Sequence, residues 1–188
     1  MKANSSKHIV ALLDTTVLCG AIRNDGINRR VLLLAADYCS FKPVLSRVCL
    51  MEFYQKALYD GIAGVVYPLH IVEQFLDYFI YPILEDLPAV NSQVGRHHWE
   101  IVKRQHTDVG QALAELSGFT TEQAVALAKQ MGVGNSLSLY DPQDVHVWVT
   151  ALRQQCHYIV TSNTQRFPQQ IGTIIRIRPG EFYNYLLQ

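Results

Sequence analysis

Short, unbroken apolar runs, each closed by a polar residue and separated by capped helices, constrain this chain more than any other feature. His8–Leu13 is the first such run, and Asp14 ends it. An apolar run of this length without alternation fits a strand buried on both faces, because a half-exposed strand would show a polar residue at every second position. Lys42–Leu45, His157–Thr161 and Thr173–Ile177 read as further strands. Helices fall between them. One runs from Thr15 to the turn Asn24-Asp25-Gly26, and a second is capped by Asn28 and reaches Asp37, with Val31, Leu32, Leu34 and Ala35 as its buried stripe. A third is capped by Ser46 and ends at Asp60-Gly61; a later one spans Pro142–Gln155, and a terminal one opens at Pro179-Gly180-Glu181. Strands alternating with helices pair in parallel through crossovers. The predicted fold class is α/β, a three-layer sandwich with a central, mostly parallel sheet flanked by helices.

The middle of the chain departs from that rhythm. Pro68 and Pro82 bracket a helix rich in Phe, Tyr and Ile, and further helices are predicted near 95–105, 107–117 and 120–131. This gives a helical insertion over about 61–133 within a single domain spanning 1–188. With 49% hydrophobic residues and a formal net charge of zero, the chain is globular and has no overall basic field to draw it onto nucleic acid. The four cysteines form no CxxC pair and sit in apolar stretches, as buried small hydrophobes in a reducing compartment do. The apolar run after the N-terminal lysines is too short for a secretory signal, and no stretch approaches the roughly 20 apolar residues of a membrane span. A cytoplasmic protein with no membrane contact is expected.

Against a charged fraction of only 17%, four carboxylates stand out: Asp14, Glu52, Asp141 and Asp144. Asp14 closes the first strand, and Thr161-Ser162-Asn163 closes HYIVT, so both project from the carboxyl edge of the sheet, where ligands gather in open parallel sheets. Glu52 lies in the second turn of the helix after Ser46, and Asp144 in the first turn of the helix before HYIVT, with Asp141 at its boundary. If both helices start at that edge, the four acids converge. Such a cluster needs a counter-charge, and hard oxygen ligands suit Mg²⁺ or Mn²⁺ rather than zinc. Each acid alone also has an ordinary reading: Asp14 and Asp141 as caps, Asp144 in support of a cap, and Glu52 as a solvated helix position.

Three blocks, LLDTTVLCGAI, PVLSRVCLMEFYQKAL and DPQDVHVWVTALRQQCHYIVTSNTQRFP, together resemble a PIN domain, the metal-dependent nuclease fold of VapC-type toxins and RNA-processing enzymes. The D-P-x-D run and the closing PGEFYNYLL resemble its longer subfamily. The resemblance implies that Asp14, Glu52 and Asp144 are metal-binding acids and that Asp141 is an additional one. It places Thr161 and Asn163 on the family's T-x-D turn, so Asn163 brings a neutral oxygen where a carboxylate is usual, and Thr16 stands where Asn or Ser is usual. The activity implied is Mg²⁺- or Mn²⁺-dependent hydrolysis of single-stranded or looped RNA to 5′-phosphate and 3′-hydroxyl ends. Asp14, Glu52, Asp144 and Asn163 are the catalytic set. The alternative is a PIN fold with weak or no catalysis that serves as an RNA- or protein-binding module. A haloacid-dehalogenase phosphatase also has a strand ending in Asp, but its second Asp would fall at Thr16.

Thr16, Arg47, Thr161, Ser162, Arg96 and Lys103 are the candidate substrate contacts, with Arg23, Arg29 and Arg30 as further cations. Helix spacing puts Arg96 and Lys103 on one face, with Trp99 able to stack on a base, although such a charge run also suits a solvated helix face. Tyr67, Phe75, Tyr78, Phe79 and Tyr81 read first as helix core and second as a face for a second copy or for an antitoxin segment.

Overall fold

The computed structural model describes residues 9–36, 40–84, 144–165, 169–171 and 173–188. Strand β1 (Val10–Leu13) is followed by helices α1 (Thr15–Arg23) and α2 (Ile27–Ala36), then by β2 (Lys42–Val44) and α3 (Arg47–Gln55). Helix α4 (Leu69–Phe75) comes next. After residue 143 come α5 (Val145–Arg153), β3 (Tyr158–Val160), β4 (Gln170–Ile171), β5 (Ile174–Ile177) and α6 (Pro179–Leu186).

The sheet order is β2-β1-β3-β5-β4. Its four longer strands are parallel, with Ala11 opposite Tyr158, Leu12 opposite Val44 and Val160 opposite Ile177. Only β4, at the edge, runs antiparallel, pairing Ile171 with Ile174. Ala11, Leu12 and Leu13 are all fully buried, as the unbroken apolar run predicts, since both faces of β1 are covered by helices. Val147, Trp148 and Ala151 of α5 belong to the same core, and α5 packs on β1 and β3. At the other end, α6 inserts Phe182 edge-on against Phe41 at 5.0 Å and beside Tyr158 at 5.7 Å. The architecture is the predicted α/β three-layer sandwich.

Local details differ from the sequence reading at several points. Helix α2 begins at Ile27, ahead of Asn28, and the carbonyl of Gly26 receives the Arg30 N–H at 3.2 Å. Asn24 sets this turn by accepting the Gly26 N–H at 2.9 Å. Asn28 instead packs inside the helix pair, over Gly20, where a Cβ would collide with its amide. Helix α3 ends in a π turn, Lys56–Asp60, closed by the Gly61 N–H on the Lys56 carbonyl at 2.8 Å; Gly61 has φ +85°, which a side chain would strain. Helix α4 likewise continues into a π turn, Leu76–Ile80, and a 3₁₀ turn, Tyr81–Ile83. The two-residue strand β4 was not predicted, because two residues carry no readable period.

Of the predicted aromatic core, Phe75 is buried against Phe53 and Phe79, while Tyr78 is 75% exposed and Tyr81 also faces outward. The predicted helices near 95–105, 107–117 and 120–131 lie outside the described residues, as do Asp141, Arg96, Trp99 and Lys103. Among the described residues no helix is long and apolar enough to cross a membrane.

Candidate functional site

The chain leaves β1 toward β2 on one side and later returns to β3 on the other, so the carboxyl ends of β1 and β3 flank the topological switch point of the sheet. The ladder continues one residue beyond the strands: the Asp14 N–H donates to the Val160 carbonyl at 3.1 Å, and the Thr161 N–H to the Ile177 carbonyl at 3.0 Å. That backbone pairing brings the side chains of Asp14 and Thr161 together from positions 147 residues apart.

Asp14 is the N-cap of α1 and only 3% exposed. Its Oδ2 accepts the Thr161 hydroxyl at 2.7 Å and the Thr16 hydroxyl at 2.8 Å, with the Thr16 N–H at 3.4 Å. Each of those hydroxyls, as it donates, accepts a backbone N–H from the loop after β3. Ser162 N–H reaches Thr16 Oγ1 at 2.9 Å, and Asn163 N–H reaches Thr161 Oγ1 at 3.0 Å. Asn163 then donates its side-chain amide to Asp144 Oδ2 at 2.5 Å; since a carboxylate can only accept, the nitrogen is the atom facing it. Asp144 is the N-cap of α5, one position before the predicted first turn, and its side chain does not cap the helix. A continuous chain of hydrogen bonds therefore links Asp14 to Asp144 through Thr161 and Asn163.

Glu52 is held differently. The Ser46 hydroxyl caps α3 by accepting the Cys49 N–H at 3.0 Å, and Glu52 follows on the buried side of that helix. Its Oε2 accepts the Thr15 hydroxyl at 2.6 Å, and its Oε1 lies 3.3 Å from Nε2 of His146. Burial pushes the Glu52 carboxyl upward, but the charge and hydrogen bond of His146, the Thr15 hydroxyl and Lys56 more than offset it and hold it below its ordinary value. For His146, burial pulls the imidazole down, and Glu52, joined by Asp14 and Asp144, overcomes this and raises it. Each group thus favours the charged form of the other. Nδ1 of His146 is buried with no partner among the described residues, a state that costs about 1–3 kcal/mol.

His146 therefore contacts Glu52 directly and feels the charges of Asp14 and Asp144 more weakly. The sequence reading missed it, and Thr15 with it. Both sit in apolar surroundings where a lone polar residue reads as a satisfied core position, and only the meeting of α1, α3 and α5 supplies their partners.

Other predicted residues take other parts. Thr16 and Thr161, expected to touch substrate, hold the Asp14 carboxylate instead. Ser162 contributes its backbone N–H, and its side chain is exposed. Arg47 opens α3. Arg29 is engaged three ways, donating to the Ala21 carbonyl, pairing with Asp25 and lying over the Phe79 ring, whereas Arg23 and Arg30 are exposed. Cys19, pushed up to about 12 by burial, and Cys49, raised by burial and then by Asp14 and Glu52, are not nucleophiles.

No protein-family model, curated protein or solved structure matches the chain. What the site can do follows from its own chemistry. Around the switch point the donors are oxygens, from Asp14, Asp144, Asn163 and the two threonines. Asp14 forms no ion pair among the described residues, and its Oδ1 takes no hydrogen bond there. No three of the His, Cys, Asp and Glu side chains among the described residues close into a ligand cage. Mg²⁺ and Mn²⁺ do not require one, because such ions are commonly held by one or two carboxylates and completed by water and substrate phosphate. These oxygens are of the type that hard divalent cations prefer. Glu52 is already engaged by His146 and Thr15.

Proposed function

We propose that this chain is a Mg²⁺- or Mn²⁺-dependent endoribonuclease of the PIN type, hydrolysing phosphodiester bonds in single-stranded or looped RNA. The observation that carries the reading is the hydrogen-bonded line from Asp14 through Thr161 and Asn163 to Asp144, at the carboxyl edge of a parallel sheet. Asp14 and Asp144 would hold the ion, with Asn163 as a neutral oxygen neighbour, Asp141 as an additional acid and Glu52 adding negative charge from behind. A bound ion supplies an activated water and charge stabilisation for the departing oxygen of the phosphodiester. The chain's own part is orientation. Thr16 and Thr161 hold one oxygen of Asp14, whose Oδ1 takes no hydrogen bond among the described residues, and Asn163 orients Asp144 through its Oδ2. The products are 5′-phosphate and 3′-hydroxyl ends. Lys56, Arg23 and Arg30 are exposed cations that could pair with the RNA backbone, with Arg47, Arg96 and Lys103 as the further candidates from the sequence. A toxin paired with an antitoxin segment fits the same reading, and the neighbouring gene would identify the pair.

The test is cleavage of mixed RNA with Mg²⁺ or Mn²⁺ by the unaltered protein, D14N and D144N. Loss of activity in both variants is expected; equal activity in all three overturns the mechanism. A second reading, a binding module without catalysis, is favoured by the capture of Glu52 by His146 and by the amide at Asn163 in place of a carboxylate. Calorimetric titration with Mn²⁺ separates the two, and absence of binding supports the module.

A further inference from the structure

The buried polar group that the proposed reaction leaves unused is His146. It is 1% exposed, stands on α5 two positions after Asp144, and keeps its Nδ1 without a partner among the described residues. A leucine or phenylalanine there would fill the same space without stranding a ring nitrogen, so packing alone gives no reason for an imidazole. Its other nitrogen, Nε2, meets Glu52 Oε1 at 3.3 Å, while Thr15 meets Oε2 at 2.6 Å. Since a carboxylate only accepts, Nε2 carries the hydrogen in this contact whichever form the ring takes. Thr15 is itself anchored, its hydroxyl lying 3.3 Å from the Cys49 carbonyl one turn before Glu52. One donor from α1 and one from α5 thus grip the two oxygens of a single side chain on α3. The contrast with Asp14 is direct: its Oδ2 takes three donors and its Oδ1 none among the described residues.

We propose that His146 is a positioning residue that, with Thr15, clamps both oxygens of Glu52 and keeps this carboxylate from ligating an ion directly. The consequence for an ion rests on the hydrolase reading; the clamp itself does not. Glu52 then acts on the site through its fixed charge, and direct ligation falls to Asp14 and Asp144.

Two measurements test this. In EDTA, unfolding midpoints are compared for the unaltered protein, H146F, E52Q and the double variant, with H146Q as the conservative donor. The clamp predicts that H146F lowers the midpoint strongly when Glu52 is present and little when it is Gln, and that H146Q restores most of the loss. An equal loss in both backgrounds overturns it. Should Phe at 146 prevent folding, T15V in the same two backgrounds reads the coupling from the other side. Mn²⁺ titration then compares E52Q with D14N. A loss of affinity below about tenfold for E52Q and above about a hundredfold for D14N is expected, as for a remote charge against a direct ligand. Equal losses overturn the exclusion of Glu52 from ligation. Absence of Mn²⁺ binding by the unaltered protein, with the EDTA coupling intact, overturns the hydrolase reading and leaves the clamp standing.

Discussion

At the scale of single residues, two threonines and one histidine decide how the acids behave. Thr161 is fully buried, and its hydroxyl both steadies Asp14 and satisfies the Asn163 N–H. T161V keeps the shape and removes both bonds, so urea unfolding should show a loss of about 1–3 kcal/mol, and T161S should recover most of it. The His146–Glu52 pair sets a pH window. The folded Glu52 value lies below its ordinary 4.5, and the folded His146 value above its ordinary 6.5. The Glu52 contribution is complete above pH 4.5 and is lost as pH falls through its lower folded value. The His146 contribution is complete below pH 6.5 and is lost as pH rises through its higher folded value. Unfolding midpoints measured in EDTA should therefore be highest between those limits and decline on either side, and E52Q should flatten the profile. An unchanged profile in E52Q would show that the pair does not govern it.

At the scale of elements, caps and turns hold the site residues in place. Ser46 closes the first turn of α3 with its hydroxyl on the Cys49 N–H, and Glu52 and Cys49 both meet Thr15 from that helix. S46A should cost about 1 kcal/mol in urea unfolding. S46D, which retains a cap acceptor, should lose less. Much of this level was legible beforehand: the Ser46 cap, the Asp60-Gly61 stop and the strand ends at Asp14 and Thr161 are written in local patterns. Asn28 was not, because Asn24 three residues before the start of the helix competes for the same turn and wins by bonding Gly26. The π turns at the ends of α3 and α4 were not legible either, since an extra residue in a helical turn leaves the apolar stripe nearly unchanged.

At the scale of the molecule, the packed sheet and helices bury Asp14, Thr15, Glu52, His146 and Thr161. Cys19 and Cys156, both pushed up to about 12 by burial, and Cys49, raised further still, should resist iodoacetamide at pH 8 in the native protein. Mass spectrometry after alkylation should find these three unmodified until denaturant is added. Rapid native modification of Cys49 would show that the α1–α3 contact opens. The exposed aromatic residues Tyr78 and Tyr81 were read first as core, since helical spacing alone cannot tell which side of α4 meets the rest of the protein.

The sequence by itself determined the α/β class, the parallel pairing and the edge of the sheet at which Asp14 and Thr161 emerge. These depend on strand length, apolar runs and caps, all local properties. The tertiary structure alone decided which side chains meet there. Thr161 reaches Asp14 because β3 is the neighbour of β1, and Glu52 meets His146 because α3 and α5 face each other across α1's first residue. No periodicity encodes a partner 94 or 147 positions away; only the packing of the whole chain selects it.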